Sequence, residues 1–65
     1  MFAQRLKELR KEYELTQFQL AKELNVSKQN ISDWENGKSE TSFELLIKIA
    51  KFFKVSIDYL LGLDN

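Results

Sequence analysis

The 65 residues carry ten Lys/Arg against ten Asp/Glu and are 43% hydrophobic, which suits one soluble domain at most, since domains run to roughly 100–200 residues. No cysteine and no histidine occurs, which excludes disulfides and thiolate metal sites and removes the commonest general base and metal ligand. Proline is absent and glycine appears only at Gly37 and Gly62, unlike a turn-rich β domain or a disordered segment.

The periodicity predicts helices throughout. Phe2, Leu6, Leu9 and Tyr13 recur at spacings of four, three and four, the stripe of an amphipathic helix. Glu12 and Glu14 bracket its end. Thr16 and Gln19 fit a capping box, with Leu15 and Leu20 as the hydrophobic staple around it. A second helix therefore starts at Gln17 and runs to about Leu24, burying Phe18, Leu20 or both, with Ala21 and Leu24. Asn25 ends it, because asparagine tolerates the left-handed conformation. Ser27 caps a third helix over about 28–35, with Val26 and Ile31 as staple, and Asn36-Gly37 is the turn that closes it.

Thr41 with Glu44 forms another candidate box, and Ser42 is the competing cap. The fourth helix, to about Phe53, is apolar on most sides, so it is central or has one flank against a partner. Its polar stripe is Glu44, Lys48 and Lys51. Lys48, Lys51 and Lys54 read as a solvated face. Ser56 caps a last short helix, with Val55 and Leu60 as staple, and Gly62 ends it. The expected fold is all-α, a five-helix bundle forming one domain over residues 1–65.

Charge is spread evenly. Four cations face three anions in residues 1–14, three face three in 15–38, and three face four in 39–65. The longest apolar runs are three residues, Leu45-Leu46-Ile47 and Tyr59-Leu60-Leu61 among them, far short of a membrane span. Residues 1–5 lack the apolar stretch of a signal peptide. A cytoplasmic location with no membrane partner is expected.

The stretch from Gln17 to Asn36 has the anatomy of a helix-turn-helix. Two short helices cross steeply only if their backbones approach, and Ala21 permits that. The tight turn needs a positive φ, and Asn25 accepts one. Ile31 and Trp34 anchor the third helix by a narrow apolar edge, so Trp34 reads as core. At about 100° per residue, Gln29, Ser32, Asp33 and Asn36 face the other way, with Lys28 on the shoulder. Such residues can meet base edges in the major groove: glutamine suits adenine, lysine guanine, and a carboxylate can accept from cytosine.

These residues, with Leu15-Thr16-Gln17, Leu20-Ala21, Trp34-Glu35-Asn36-Gly37, Lys48-Ile49-Ala50, Val55-Ser56 and Leu60-Leu61, make nearly the whole chain resemble the phage repressor/Cro type of helix-turn-helix, the XRE family. The resemblance implies a lambda-repressor-like bundle that binds double-stranded DNA as a homodimer, on an operator with two-fold symmetry, and regulates transcription. It implies that Lys28, Gln29, Ser32 and Asp33 read bases, and that Thr16, Gln17, Asn36, Gly37 and Lys38 meet phosphates. It implies an ion pair between Arg10 and Glu35. Only Lys28 and Lys38 are cations well placed for phosphate, so a shallow salt dependence is expected.

Phe52, Tyr59, Leu61 and Leu63 are a surplus of apolar surface. They either complete a small core or join two subunits, and the interface is preferred because dimeric relatives use this region. The even charge, Asp33 and this surplus support an alternative: a protein-binding module, antirepressor or antitoxin, that captures another regulator. The inventory offers no nucleophile–base pair and no Gly-rich phosphate loop, so no catalytic residue, metal or cofactor is expected.

Overall fold

Four hydroxyl side chains start four of the helices. The computed structural model describes residues 2–63 and holds five α-helices, with no strand among the described residues: α1 (Phe2–Glu12), α2 (Gln17–Leu24), α3 (Lys28–Glu35), α4 (Phe43–Phe53) and α5 (Ile57–Leu61). Thr16 Oγ1 accepts from the Gln19 amide at 3.1 Å, and Gln19 Oε1 accepts from the Thr16 amide at 2.8 Å, which completes the expected capping box. Ser27 Oγ and Ser56 Oγ accept from the amides of Asn30 and Tyr59. Of the two candidates before α4, Ser42 is the cap, accepting from the Leu45 amide at 3.1 Å. The Thr41 hydroxyl oxygen is buried and has no hydrogen-bond partner among the described residues.

The C-caps of α2, α4 and α5 are left-handed. Asn25 has φ 59° and Gly62 φ 74°, as the sequence leads one to expect, and each bonds its amide back to carbonyls of the last turn. Lys54, with φ 59°, ends α4 in the same way, and Glu14 takes φ 57° after α1. Neither is a residue suited to that region. The chain must reverse within a few residues at both places, and the packing on either side overrides local preference.

The core draws on every helix: Leu6 and Leu9 from α1, Leu20, Ala21 and Leu24 from α2, Ile31 and Trp34 from α3, Ile49, Ala50 and Phe53 from α4, and Leu60 from α5. Phe18 is 59% exposed. It lies two residues before Leu20, about 200° round the helix, so only one of the two can face inward. α4 is buried along one face only. Leu45, Leu46, Ile47 and Phe52 are half-buried beside that face, and Phe43 is 67% exposed.

Long side chains tie the helices together at their C-terminal ends. Lys48 Nζ donates to the Leu24 carbonyl at 2.7 Å, so this lysine is not merely solvated but closes α2. Tyr13 Oη donates to the Phe53 carbonyl at 2.9 Å. Arg5 Nη1 donates to the Tyr59 carbonyl at 2.8 Å, and its guanidinium stands 4.2 Å from the Tyr59 ring centroid. Each donor meets the partly negative end of a helix, where last-turn carbonyls lack helical partners.

The left-handed residues give a stability test. A non-glycine residue costs about 1–2 kcal/mol there, offset in part by the greater freedom of glycine in the unfolded chain. Lys54→Gly is expected to raise stability by roughly 0.5–1 kcal/mol. Asn25→Val is expected to lower it by about 1–2 kcal/mol. Urea unfolding followed by circular dichroism reads both.

Candidate nucleic-acid interface

Trp34 and Ile31 press the inner edge of α3 into the core, with 4% and 0% exposure, and so turn its other side outward. Phe2 braces the Trp34 ring edge-on, with centroids 6.5 Å apart. α2 meets α3 across a turn of three residues, Asn25 to Ser27. Ala21 of α2 is 2% exposed, and α2 packs directly against α3.

The end of α3 is fixed by charge. Arg10 Nε and Nη2 donate to the two carboxylate oxygens of Glu35 at 2.6 and 3.0 Å. The side chains are 12% and 2% exposed. Arg10 Nη1 also donates to the Leu15 carbonyl at 2.8 Å, and Gln17 Nε2 donates to Glu35 Oε1 at 3.1 Å. A carboxylate this buried is tolerable only when paired and hydrogen-bonded, and here donors from α1 and α2 converge on it. The ion pair implied by the resemblance is present. The part played by Gln17 was not legible, because no local spacing links residues of different helices.

On the outward side, Lys28 and Gln29 are exposed, and Ser32 and Asp33 are half-buried. Gln29 Nε2 donates to Asp33 Oδ1 at 2.8 Å. Asn36 Nδ2 donates to Ser32 Oγ at 3.3 Å. Both pairs join residues four apart, neighbours on one helix face.

The turn after α3 is closed by backbone bonds from Gly37 to the Trp34 carbonyl and from Lys38 to the Asp33 carbonyl. Gly37 has φ 71°, and a Cβ there would meet nothing within 4 Å. The glycine therefore serves the conformation, not a close approach. Lys38 is exposed beside it. At the start of α2, Thr16 is exposed and its oxygen is occupied by the cap, leaving its O–H proton to donate. Gln17 is half-buried against Glu35. The capping box takes the amides of Thr16 and Gln19, so those of Gln17 and Phe18 are the ones α2 can offer an anion.

The surplus apolar residues divide. Phe52 is half-buried against Phe53 and Tyr13, with ring centroids at 5.0 and 6.3 Å. Tyr59 is half-buried under Arg5. Leu61 and Leu63 remain 38% and 66% exposed. No helix among the described residues is long and apolar enough to cross a membrane.

A helix-turn-helix family model matches residues 6–60. The HTH-type transcriptional activator BcrR of Enterococcus faecalis is 50% identical over 61 residues, 94% of this chain and 30% of that protein. The antitoxin PezA of Streptococcus pneumoniae is 38% identical over 65 residues, 100% of this chain and 41% of that protein. The chain thus spans less than half the length of either relative. Its structure is similar to that of the P22 c2 repressor protein in complex with synthetic operator 9T, with a TM-score of 0.91 and 34% identity, covering 98% of this chain and 97% of that one.

Removing one member of a buried ion pair strands the other, at about 3–5 kcal/mol. That approaches the whole stability of a chain this size, roughly 3–10 kcal/mol. Arg10→Ala is therefore expected to leave much of the protein unfolded at 25 °C. Arg10→Met/Glu35→Leu removes both charges and is expected to be more stable than Arg10→Ala or Glu35→Leu alone. Denaturant titrations of the three variants make the comparison.

Proposed function

The chain belongs to the helix-turn-helix family, and from that premise we propose that it binds double-stranded DNA by sequence and regulates transcription as a Cro-like repressor, with α3 in the major groove. The observation that carries the reading is the likeness to an operator-bound repressor across nearly the whole of both chains. The outward face of α3 supplies the residues that meet the bases, Lys28, Gln29 and Ser32, with Asp33 bonded to Gln29 beside them. Lys28 presents an ammonium donor to guanine, and Gln29 an amide with one donor side and one acceptor side to adenine.

Thr16, Gln17, Asn36, Gly37 and Lys38 hold phosphates on either side. The engagement of Gln17 with Glu35 favours a contact through its backbone amide rather than its side chain. Lys38 carries the positive charge of the second contact. With few cations at this surface, non-specific binding is weak and its salt dependence shallow.

Two copies bind together, on half-sites about one helical turn apart. Leu61 and Leu63 lead the subunit contact because they stay exposed, with Phe52 and Tyr59 at its edge. The protein works in the cytoplasm, on operator DNA. The similarity to an antitoxin and the even charge support capture of another regulatory protein as the second reading.

Selection from random duplex DNA at low salt tests the proposal. An enriched sequence with two-fold symmetry supports it. No enrichment by folded protein overturns it in favour of the partner-binding reading. On the selected site, Gln29→Ala is expected to cost roughly 1–3 kcal/mol and to relax one base position per half-site. Lys38→Ala is expected to weaken selected and random DNA alike. Equal losses on both DNAs for Gln29→Ala would remove its role as a reader.

A further inference from the structure

Asp33 is a poor phosphate neighbour, and its carboxylate has a partner within the helix. Side chains of a helix lean toward its N-terminus, so Asp33 leans over Gln29, one turn earlier. Gln29 Nε2 donates to Asp33 Oδ1 at 2.8 Å. A carboxylate only accepts, so the amide must turn its NH2 group, and not its carbonyl, toward Asp33. One of the two amide protons of Gln29 is then occupied. One N–H and the carbonyl oxygen remain for the duplex.

That remainder has a definite complement. Adenine shows the major groove one acceptor, N7, and one donor, its 6-amino group, and Gln29 can match both. Guanine shows two acceptors, N7 and O6. A free glutamine could rotate its amide to turn an N–H toward O6, but the Gln29 NH2 group is held at Asp33, so its carbonyl would face O6, acceptor against acceptor. We propose that Asp33 is a positioning residue that fixes the Gln29 amide and so makes Gln29 accept adenine and reject guanine.

The inference rests on α3 being the helix that faces the groove. In water the pair is a weak, exposed one. At an interface that excludes water the same bond strengthens, so its effect is on the choice of base more than on the fold. The role differs from the direct contact with cytosine expected of a carboxylate, and the two predict changes at different base pairs.

The test is selection from random duplexes by the wild-type protein, Asp33→Ala, Asp33→Asn and Gln29→Ala, each first shown to be folded by circular dichroism. Wild-type protein is expected to prefer adenine over guanine at one position per half-site by roughly tenfold to a hundredfold. In Asp33→Ala that preference falls to about threefold or less, and guanine enters at the same position. In Asp33→Asn guanine also enters, because an asparagine NH2 can donate to the Gln29 carbonyl and leave the Gln29 NH2 group free to turn toward O6. Adding Asp33→Ala to Gln29→Ala changes nothing further at that position. A change confined to a neighbouring base pair would assign Asp33 to direct reading and overturn the proposal. A uniform rise in affinity with unchanged preference would reduce Asp33 to its charge, with the same consequence. If wild-type protein enriches no sequence, the DNA-binding reading falls and takes this inference with it. Failure confined to the Asp33 variants removes the inference alone.

Discussion

Everything presented by α3 depends on the burial of Glu35. Its carboxylate is 2% exposed at the last turn of that helix, and the cost of taking it from water is offset only by donors from two other helices. Arg10 reaches it from α1 with both arms of the guanidinium, and Gln17 reaches it from the first turn of α2. All three bonds close in one arrangement of the three helices. A hydrophobic contact at this place would tolerate sliding or rotation; a forked ion pair with a third donor does not. Orientation is therefore what the network contributes, more than stability, because apolar residues of similar volume can be as stable as a buried pair. The anchored edge, Ile31 and Trp34, supplies the apolar burial, and Glu35 fixes the angle.

A chain of 65 residues buries a modest core, so its helix ends matter more than they would in a larger domain. Hydroxyl caps hold the starts of α2 to α5. The C-terminal ends of α2, α4 and α5 are met by Lys48 of α4, by Tyr13 just after α1 and by Arg5 of α1. Such bonds give last-turn carbonyls a donor from outside the helix, and the Tyr59 carbonyl accepts from the Gly62 amide as well. Lys48 secures the α2 end next to the turn at Asn25, and so supports the same crossing of α2 and α3 that Glu35 fixes from the other side.

What could be read in the sequence was local. The box of Thr16 and Gln19, the cap at Ser27, the turn at Asn25 and the stop at Gly62 each depend on residues within one turn of one another, and each is in place. The choice of Ser42 over Thr41 was open because adjacent hydroxyls offer the same chemistry. Positive φ at Glu14 and Lys54 was hidden, since nothing in either side chain favours it and the packing of neighbouring helices imposes it. The ties through Lys48, Gln17 and Tyr13 were hidden for the same reason. On α3 the outward residues followed from helical spacing alone. Their pairing also lay within reach, four residues apart, although Asp33 by itself suggests only a contact or a repulsion.

The two pairs on α3 bear on how a nearly neutral surface can read DNA. A strongly basic protein gains affinity from every phosphate it neutralises, on right and wrong sequences alike. This surface gains little in that way, so under the proposed reading its discrimination must come from base contacts, and those contacts must lose little entropy when they form. A free glutamine side chain gives up several rotatable bonds on binding; one already held by Asp33 gives up fewer, which is the general benefit of a preorganised group. Ser32 and Asn36, joined one turn further along, gain in the same way. The carboxylate that weakens attraction to phosphate also orders the side chain beside it. Both effects favour a reader that is weak on random DNA and selective on its own site.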